Sequence, residues 1–112
     1  MSFLVDTSVW IDHFRFGNGR LEELLREDAV LMHAAILGEL ACGHLRRRAE
    51  TLDALRLLPR AQEASGDEVL AFIEQHRLYG KGIGWTDAHL LSSSALSGAK
   101  IWTLDRALAK LT

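Results

Sequence analysis

Two short apolar runs, one near each end of the chain, are each cut off by an aspartate: Phe3-Leu4-Val5 by Asp6, and Ile101-Trp102-Thr103-Leu104 by Asp105. A third, Val30-Leu31-Met32, lies between them. Runs this short, bounded by polar and turn-forming residues, read as buried strands. The stretches that separate them carry helical spacing, so no two strands can be joined as a hairpin. Strands linked through helices pair in parallel by right-handed crossovers. The expected fold is therefore α/β, a three-layer α/β/α sandwich with a short, mostly parallel central sheet.

Helices are expected over Val9–Phe14, from Leu21 to about Asp28, over Ala34–Gly43, over Arg47–Leu57 with Pro59 as its stop, and over Asp67–Tyr79. Phe16–Arg20 reads as a loop, and Gly80, Gly82 and Gly84 mark Gly80–Trp85 as a mobile one. Thr86 should cap a further helix that carries Asp87, Leu90, Leu91 and Leu96 and ends at Gly98, and Arg106–Leu111 should form a last turn or two. A length of 112 residues suits one domain, 1–112, with one core burying roughly 60–70% of the unfolded surface. The single cysteine, Cys42, has no partner for a bridge and no zinc-like neighbours, and is expected as a small buried helix residue. There is no basic and apolar leader and no apolar run of about 18 residues, so a cytoplasmic protein without a membrane span is expected.

The two strand-end aspartates bear on function. In an open parallel sheet, ligands bind outside the carboxyl ends of the strands. An aspartate there can also do no more than cap the helix that follows; two of them at the same edge favour a site. Glu39 sits in Ala35-Ile36-Leu37-Gly38-Glu39-Leu40-Ala41-Cys42-Gly43, with only apolar or small residues at its three- and four-residue spacings. A carboxylate buried there has to be paired or bound to a cation. Asp87 falls in the first turn of its helix, where an acid is also favoured by the helix dipole alone.

These segments together resemble the PIN-domain ribonucleases, in particular the short toxins of toxin–antitoxin pairs (the VapC-like group). Leu4-Val5-Asp6-Thr7-Ser8-Val9-Trp10-Ile11 is similar to that family's first motif, Ile36-Leu37-Gly38-Glu39-Leu40 to its second, Thr86-Asp87-Ala88-His89-Leu90-Leu91 to its third, and Trp102-Thr103-Leu104-Asp105 to its fourth. The likeness spans nearly the whole chain, in order. It implies a PIN-like nuclease domain in which Asp6, Glu39, Asp87 and Asp105 are the catalytic acids and metal ligands, supported by the hydroxyls of Thr7, Ser8 and Thr103. It also implies an RNA substrate, a cognate antitoxin that blocks the site, and assembly as a homodimer or a toxin–antitoxin hetero-oligomer. The chain stops soon after the fourth motif, where relatives often continue into a further strand.

Carboxylates without histidine or cysteine ligands suit Mg²⁺ or Mn²⁺ rather than zinc. Hydrolysis of a phosphodiester builds charge on a group already anionic, which a hard cation neutralises while it activates water. Without the cation, two carboxylates about 4 Å apart repel by roughly 4 kcal/mol at an effective dielectric of about 20. Raised carboxyl pKa values and stabilisation by added metal are therefore expected.

The chain carries 13 Lys and Arg against 15 Asp and Glu, a formal charge of −2, which lacks the basic excess of a generic nucleic-acid binder. With the four acids set aside as ligands, the basic residues outnumber the remaining acids. Arg46, Arg47, Arg48 and Lys81 are the candidates for holding RNA phosphates. Trp10, Ile11 and Phe14 offer more apolar surface than one helix face can bury, and with Leu40 and Leu45 they form a candidate partner surface. The five histidines read as polar or packing residues. Of the tryptophans, Trp102 reads as core, and Trp85, beside the glycine loop and Asp87, is the one placed to stack on a base. Another class of phosphoryl-transfer enzyme, the haloacid-dehalogenase type, also begins with a strand-end aspartate. It needs a second aspartate two residues on, where this chain has Ser8. A non-catalytic PIN-like binding module is the other alternative.

Overall fold

A computed structural model describes residues 1–112. Three strands, β1 (Phe3–Val5), β2 (Val30–Leu31) and β3 (Lys100–Trp102), form one parallel sheet in the order β2-β1-β3. The register aligns Phe3 with Val30 and with Lys100, and Val5 with Trp102. The crossovers are helical, as the alternation of short apolar runs and helical spacing requires. They comprise α1 (Thr7–Phe16), α2 (Gly19–Arg26), α3 (Ala34–Cys42), α4 (Arg48–Arg56), α5 (Gly66–His76), α6 (Trp85–Ser97) and α7 (Arg106–Ala109). Helix α3 packs on α1 and α4, while α6 packs on α5 and β3, giving two helical groups about the sheet. Leu4 and Val5 of the central strand lie at the heart of a core shared with Val9, Leu21, Ile36, Leu90 and Leu108. No helix is long and apolar enough to cross a membrane.

Several element ends differ from the sequence expectation, each for a local reason. Helix α1 begins at Thr7 rather than Val9, because Asp6 already has the extended conformation of an N-cap. The expected loop over Phe16–Arg20 shrinks to two residues. Gly17 takes a φ of +74°, and the Asn18 side chain accepts from Leu21 N–H at 3.0 Å to start α2. Pro59 does not stop α4, which ends at Arg56. Its carbonyl accepts from Met32 N–H at 2.8 Å, and Ala61 N–H donates to Met32 at 2.9 Å, so this segment runs beside the end of β2. Proline suits such an edge, since it has no N–H to leave unpaired. The cap of α6 is Gly84 rather than Thr86, which lies within the first turn. Strand β3 ends at Trp102, so Thr103 and Leu104 have left the ladder. Cys42 lies on a helix as expected, but α3 ends with it rather than at Gly43, and it is exposed and not buried.

Candidate active site

The carboxyl edge of the sheet places Asp6 directly after β1 and Thr103 directly after β3. Backbone pairing continues one step past the strands, with Asp6 N–H donating to the Trp102 carbonyl at 2.9 Å. Although Asp6 occupies the N-cap of α1, its side chain makes no capping bond. Its Oδ2 instead receives the hydroxyls of Ser8 and Thr103, both at 2.7 Å. Each hydroxyl is itself aimed by a backbone N–H: Leu104 donates to Ser8 Oγ and Asp105 to Thr103 Oγ1, both at 3.0 Å. Asp6 is only 8% exposed, so these two donors compensate much of its desolvation. The second aspartate of the dehalogenase pattern is thus a serine committed to holding the first.

Asp105 behaves differently. Its Oδ1 accepts from Ala107 N–H at 2.8 Å and Leu108 N–H at 3.2 Å, the capping role that was its plainer alternative. Glu39, on the exposed side of α3, accepts the Thr7 hydroxyl on Oε1 at 2.7 Å. The expectation of a buried Glu39 is therefore corrected: Ile36 and Leu40 face the core, and Gly38 and Glu39 face outward. Asp87 accepts from Gly84 N–H on Oδ2 at 3.2 Å, closing the first turn of α6 without help from a cap side chain. In all four acids one oxygen is held by donors within the chain, and the other makes no hydrogen bond to it.

The four acids sense one another at Asp87. Partial burial raises its carboxyl above the ordinary value near 3.8, and the charges of Asp6, Asp105 and Glu39 raise it further, against the lowering effect of the Gly84 hydrogen bond. Between 3.8 and the raised value the folded chain binds more protons than the unfolded one, so this group costs stability as pH rises through that window. The side chains do not close into a ready-made cage of three or more metal ligands. The donor set of carboxylate oxygens, with one oxygen of each acid uncommitted, suits a hard divalent cation that keeps several waters. With Glu39 and Asp105 exposed, the site is open to a polymer.

The other sequence candidates are distributed unevenly. Arg46, Arg47, Arg48 and Lys81 are all exposed. Arg48 is engaged with the end of α3, donating to the Gly43 carbonyl at 3.1 Å and to the Ala41 carbonyl, and Arg47 pairs with Glu50 at 3.3 Å. Arg46 makes neither kind of contact and lines a groove beside Glu39 with Arg15 and His44. The proposed apolar patch is corrected in part. Trp10 and Leu40 are each 2% exposed and belong to the core, whereas Ile11, Phe14 and Phe16 stand out from α1 at the same groove and Leu45 is half-buried. Trp102 is half-buried against the core, as expected of it.

Sequence reasoning missed His33. It follows β2 as Asp6 follows β1, so the strand-end argument applied to it equally. The His33 ring caps α3, with Nδ1 accepting from Ala35 N–H at 2.9 Å, and Glu63 accepts from Ala34 N–H at 3.0 Å. Burial lowers the His33 pKa below the ordinary 6.5, the His89 and Arg60 charges lower it too, and Glu63 opposes them.

The geometry agrees with the comparisons to known proteins. The chain matches the family profile described as "PIN domain" over residues 3–112. It is 45% identical over 106 residues to Ribonuclease VapC32 of Mycobacterium tuberculosis, in both strain CDC 1551 / Oshkosh and strain H37Rv, an alignment that covers 94% of this chain and 86% of the relative. The crystal structure of PAE2754 from Pyrobaculum aerophilum superposes with a TM-score of 0.64 over all of this chain and 80% of that one, at 18% identity, a likeness of fold. A parallel sheet of order β2-β1-β3 with acids gathered at its carboxyl edge, together with a match of this extent, establishes that the chain belongs to the PIN-domain family.

Proposed function

We propose that this chain is an endoribonuclease of the toxin type, hydrolysing RNA phosphodiester bonds at the carboxyl edge of its sheet with Asp6, Glu39, Asp87 and Asp105 as its working acids. The observation that carries the reading is the Asp6 carboxylate, buried at the edge and held by two hydroxyls that are themselves aimed by backbone N–H groups. Nothing in the packing of the core requires that arrangement. The relatives named as ribonucleases support the same activity.

A divalent cation, Mg²⁺ or Mn²⁺, would be held by the four carboxylates, and the chemistry it supplies is charge neutralisation at the phosphoryl group and activation of a water. The chain's own part is orientation. Ser8 and Thr103 fix the rotamer of Asp6, Thr7 fixes Glu39, and the first turns of α6 and α7 fix Asp87 and Asp105. Arg46 supplies positive charge for the RNA backbone where Arg47 and Arg48 are already engaged. The groove lined by Ile11, Phe14, Phe16 and Arg15 suits the apolar, acidic segment of an antitoxin, which would cover the site from the Glu39 side.

The test is titration calorimetry of Mn²⁺ into chelator-stripped protein and into Asp6→Asn, followed by cleavage assays on RNA. Binding by the wild type that is lost in the variant, with loss of cleavage, is expected. Equal binding, or equal cleavage, by a folded Asp6→Asn chain sinks the assignment.

A further inference from the structure

A row of aromatic rings borders the acids on the β2 side of the sheet edge. The His33 ring meets His89 of α6 at 6.1 Å, and His89 meets Trp85 at 4.6 Å with the ring planes 85° apart. Trp85 opens α6, two residues before Asp87, and packs edge-on against His89. His89 supports it from the next turn of its own helix. At the start of α5, Gly66 lies near the indole, and a Cβ there would stand in ordinary contact, 3.8 Å from its Cζ2. Despite that contact the residue remains 49% exposed. An indole left half in water forgoes apolar burial, and one held in place forgoes rotamer freedom as well. A half-exposed aromatic ring beside the proposed phosphodiester site is the arrangement on which an unpaired base stacks.

We propose that Trp85, backed by His89, is the stacking platform for an unpaired nucleobase flanking the scissile phosphate, so that the enzyme selects single-stranded RNA over duplex. The proposal rests on the ribonuclease reading above. Stacking tolerates every base, because each presents a π face, so Trp85 selects strand state and leaves base identity to other contacts. In a duplex the neighbouring bases already cover those faces, and the indole has nothing to meet.

The experiment uses the full chain carrying Asp6→Asn, so that RNA is bound without being cut. Three labelled probes are titrated: a single-stranded decamer, the same decamer in a duplex, and a decamer of abasic ribose. The parent chain is expected to bind the first more tightly than the other two. Adding Trp85→Ala should weaken that binding by about tenfold while leaving its salt dependence unchanged, since no phosphate contact is lost. Trp85→Phe should restore most of the affinity. As a second measurement, the decamer should quench tryptophan emission in the parent and much less in Trp85→Phe, because Trp10 is buried and Trp102 half-buried. That readout stands even where Trp85→Ala fails to fold. Unchanged affinity in a folded Trp85→Ala chain, equal loss on the abasic probe, or equal quenching in Trp85→Phe overturns the proposal and makes the indole a protein-contact residue. A folded parent that binds no RNA at all, with the native Asp6 restored as well, overturns the ribonuclease reading itself.

Discussion

Thr103 and Ser8 converge on one oxygen of Asp6, and removing either leaves a buried charge short of a donor. Thr103→Val keeps the shape of the side chain and deletes the hydroxyl. It should reduce metal affinity and cleavage by about 10–100-fold, measured by calorimetry and initial rates, with the melting temperature moving far less. His33 makes a prediction of opposite character. Its neutral ring accepts the Ala35 N–H that starts α3, and its pKa lies below the ordinary 6.5. Between that lowered value and 6.5 the unfolded chain binds more protons, so stability is greatest above this range and falls as pH drops through it. Thermal melts at pH 7.5 and 5.5 should show the loss, and His33→Asn, which caps without titrating, should lessen it. At this scale Glu39, in mid-α3, is marked in the sequence only by its apolar neighbours, while the positions of Asp6, Asp87 and Asp105 could be read from it because each stands at the start of a helix. The outward turn of Glu39 and the cap made by His33 could not, because both depend on how α3 is rotated against α1 and α4.

Helix α3 is fastened at both ends by residues outside it, His33 and Glu63 at its start and Arg48 at its finish. The three consecutive arginines therefore divide by role. Arg48→Ala should lower stability by about 1 kcal/mol in denaturant unfolding and leave the salt dependence of RNA binding nearly unchanged. Arg46→Ala should do the reverse, weakening RNA binding and flattening its salt dependence. The glycine loop before α6 uses backbone conformations that favour glycine: Gly80 has a φ of +70° and Gly82 of +80°. Gly82→Ala should cost about 1 kcal/mol or more in urea melts, because alanine is strained at that φ. The existence of every helix could be read from periodicity and Gly or Pro punctuation. Their ends could not, because Asp6 and Gly84 set them through backbone geometry, and Asn18 through its side chain, at positions that periodicity does not mark.

The fold as a whole sets four acids drawn from distant parts of the sequence against one another, and only their mutual repulsion at Asp87 registers the strain. Saturating Mn²⁺ at about 100 times its dissociation constant should add about 2.7 kcal/mol, which for a chain of this size raises the melting temperature by roughly 10 °C. No shift against a chelator control would remove the cation from the site. The topology of three parallel strands could be read from the sequence, since short apolar runs between helices allow little else. The strand order β2-β1-β3 could not, because nothing local says which strand lies in the middle. That order also governs when the molecule becomes active. Asp6 emerges early in synthesis, yet its Thr103 donor directly follows the strand added last, and β1 must wait for β3 to lie beside it. Until that pairing forms, Asp6 keeps only its Ser8 donor and Asp105 lacks its place, so under the proposed assignment of these acids a chain cut before β3 should cleave no RNA in an assay where the full chain does.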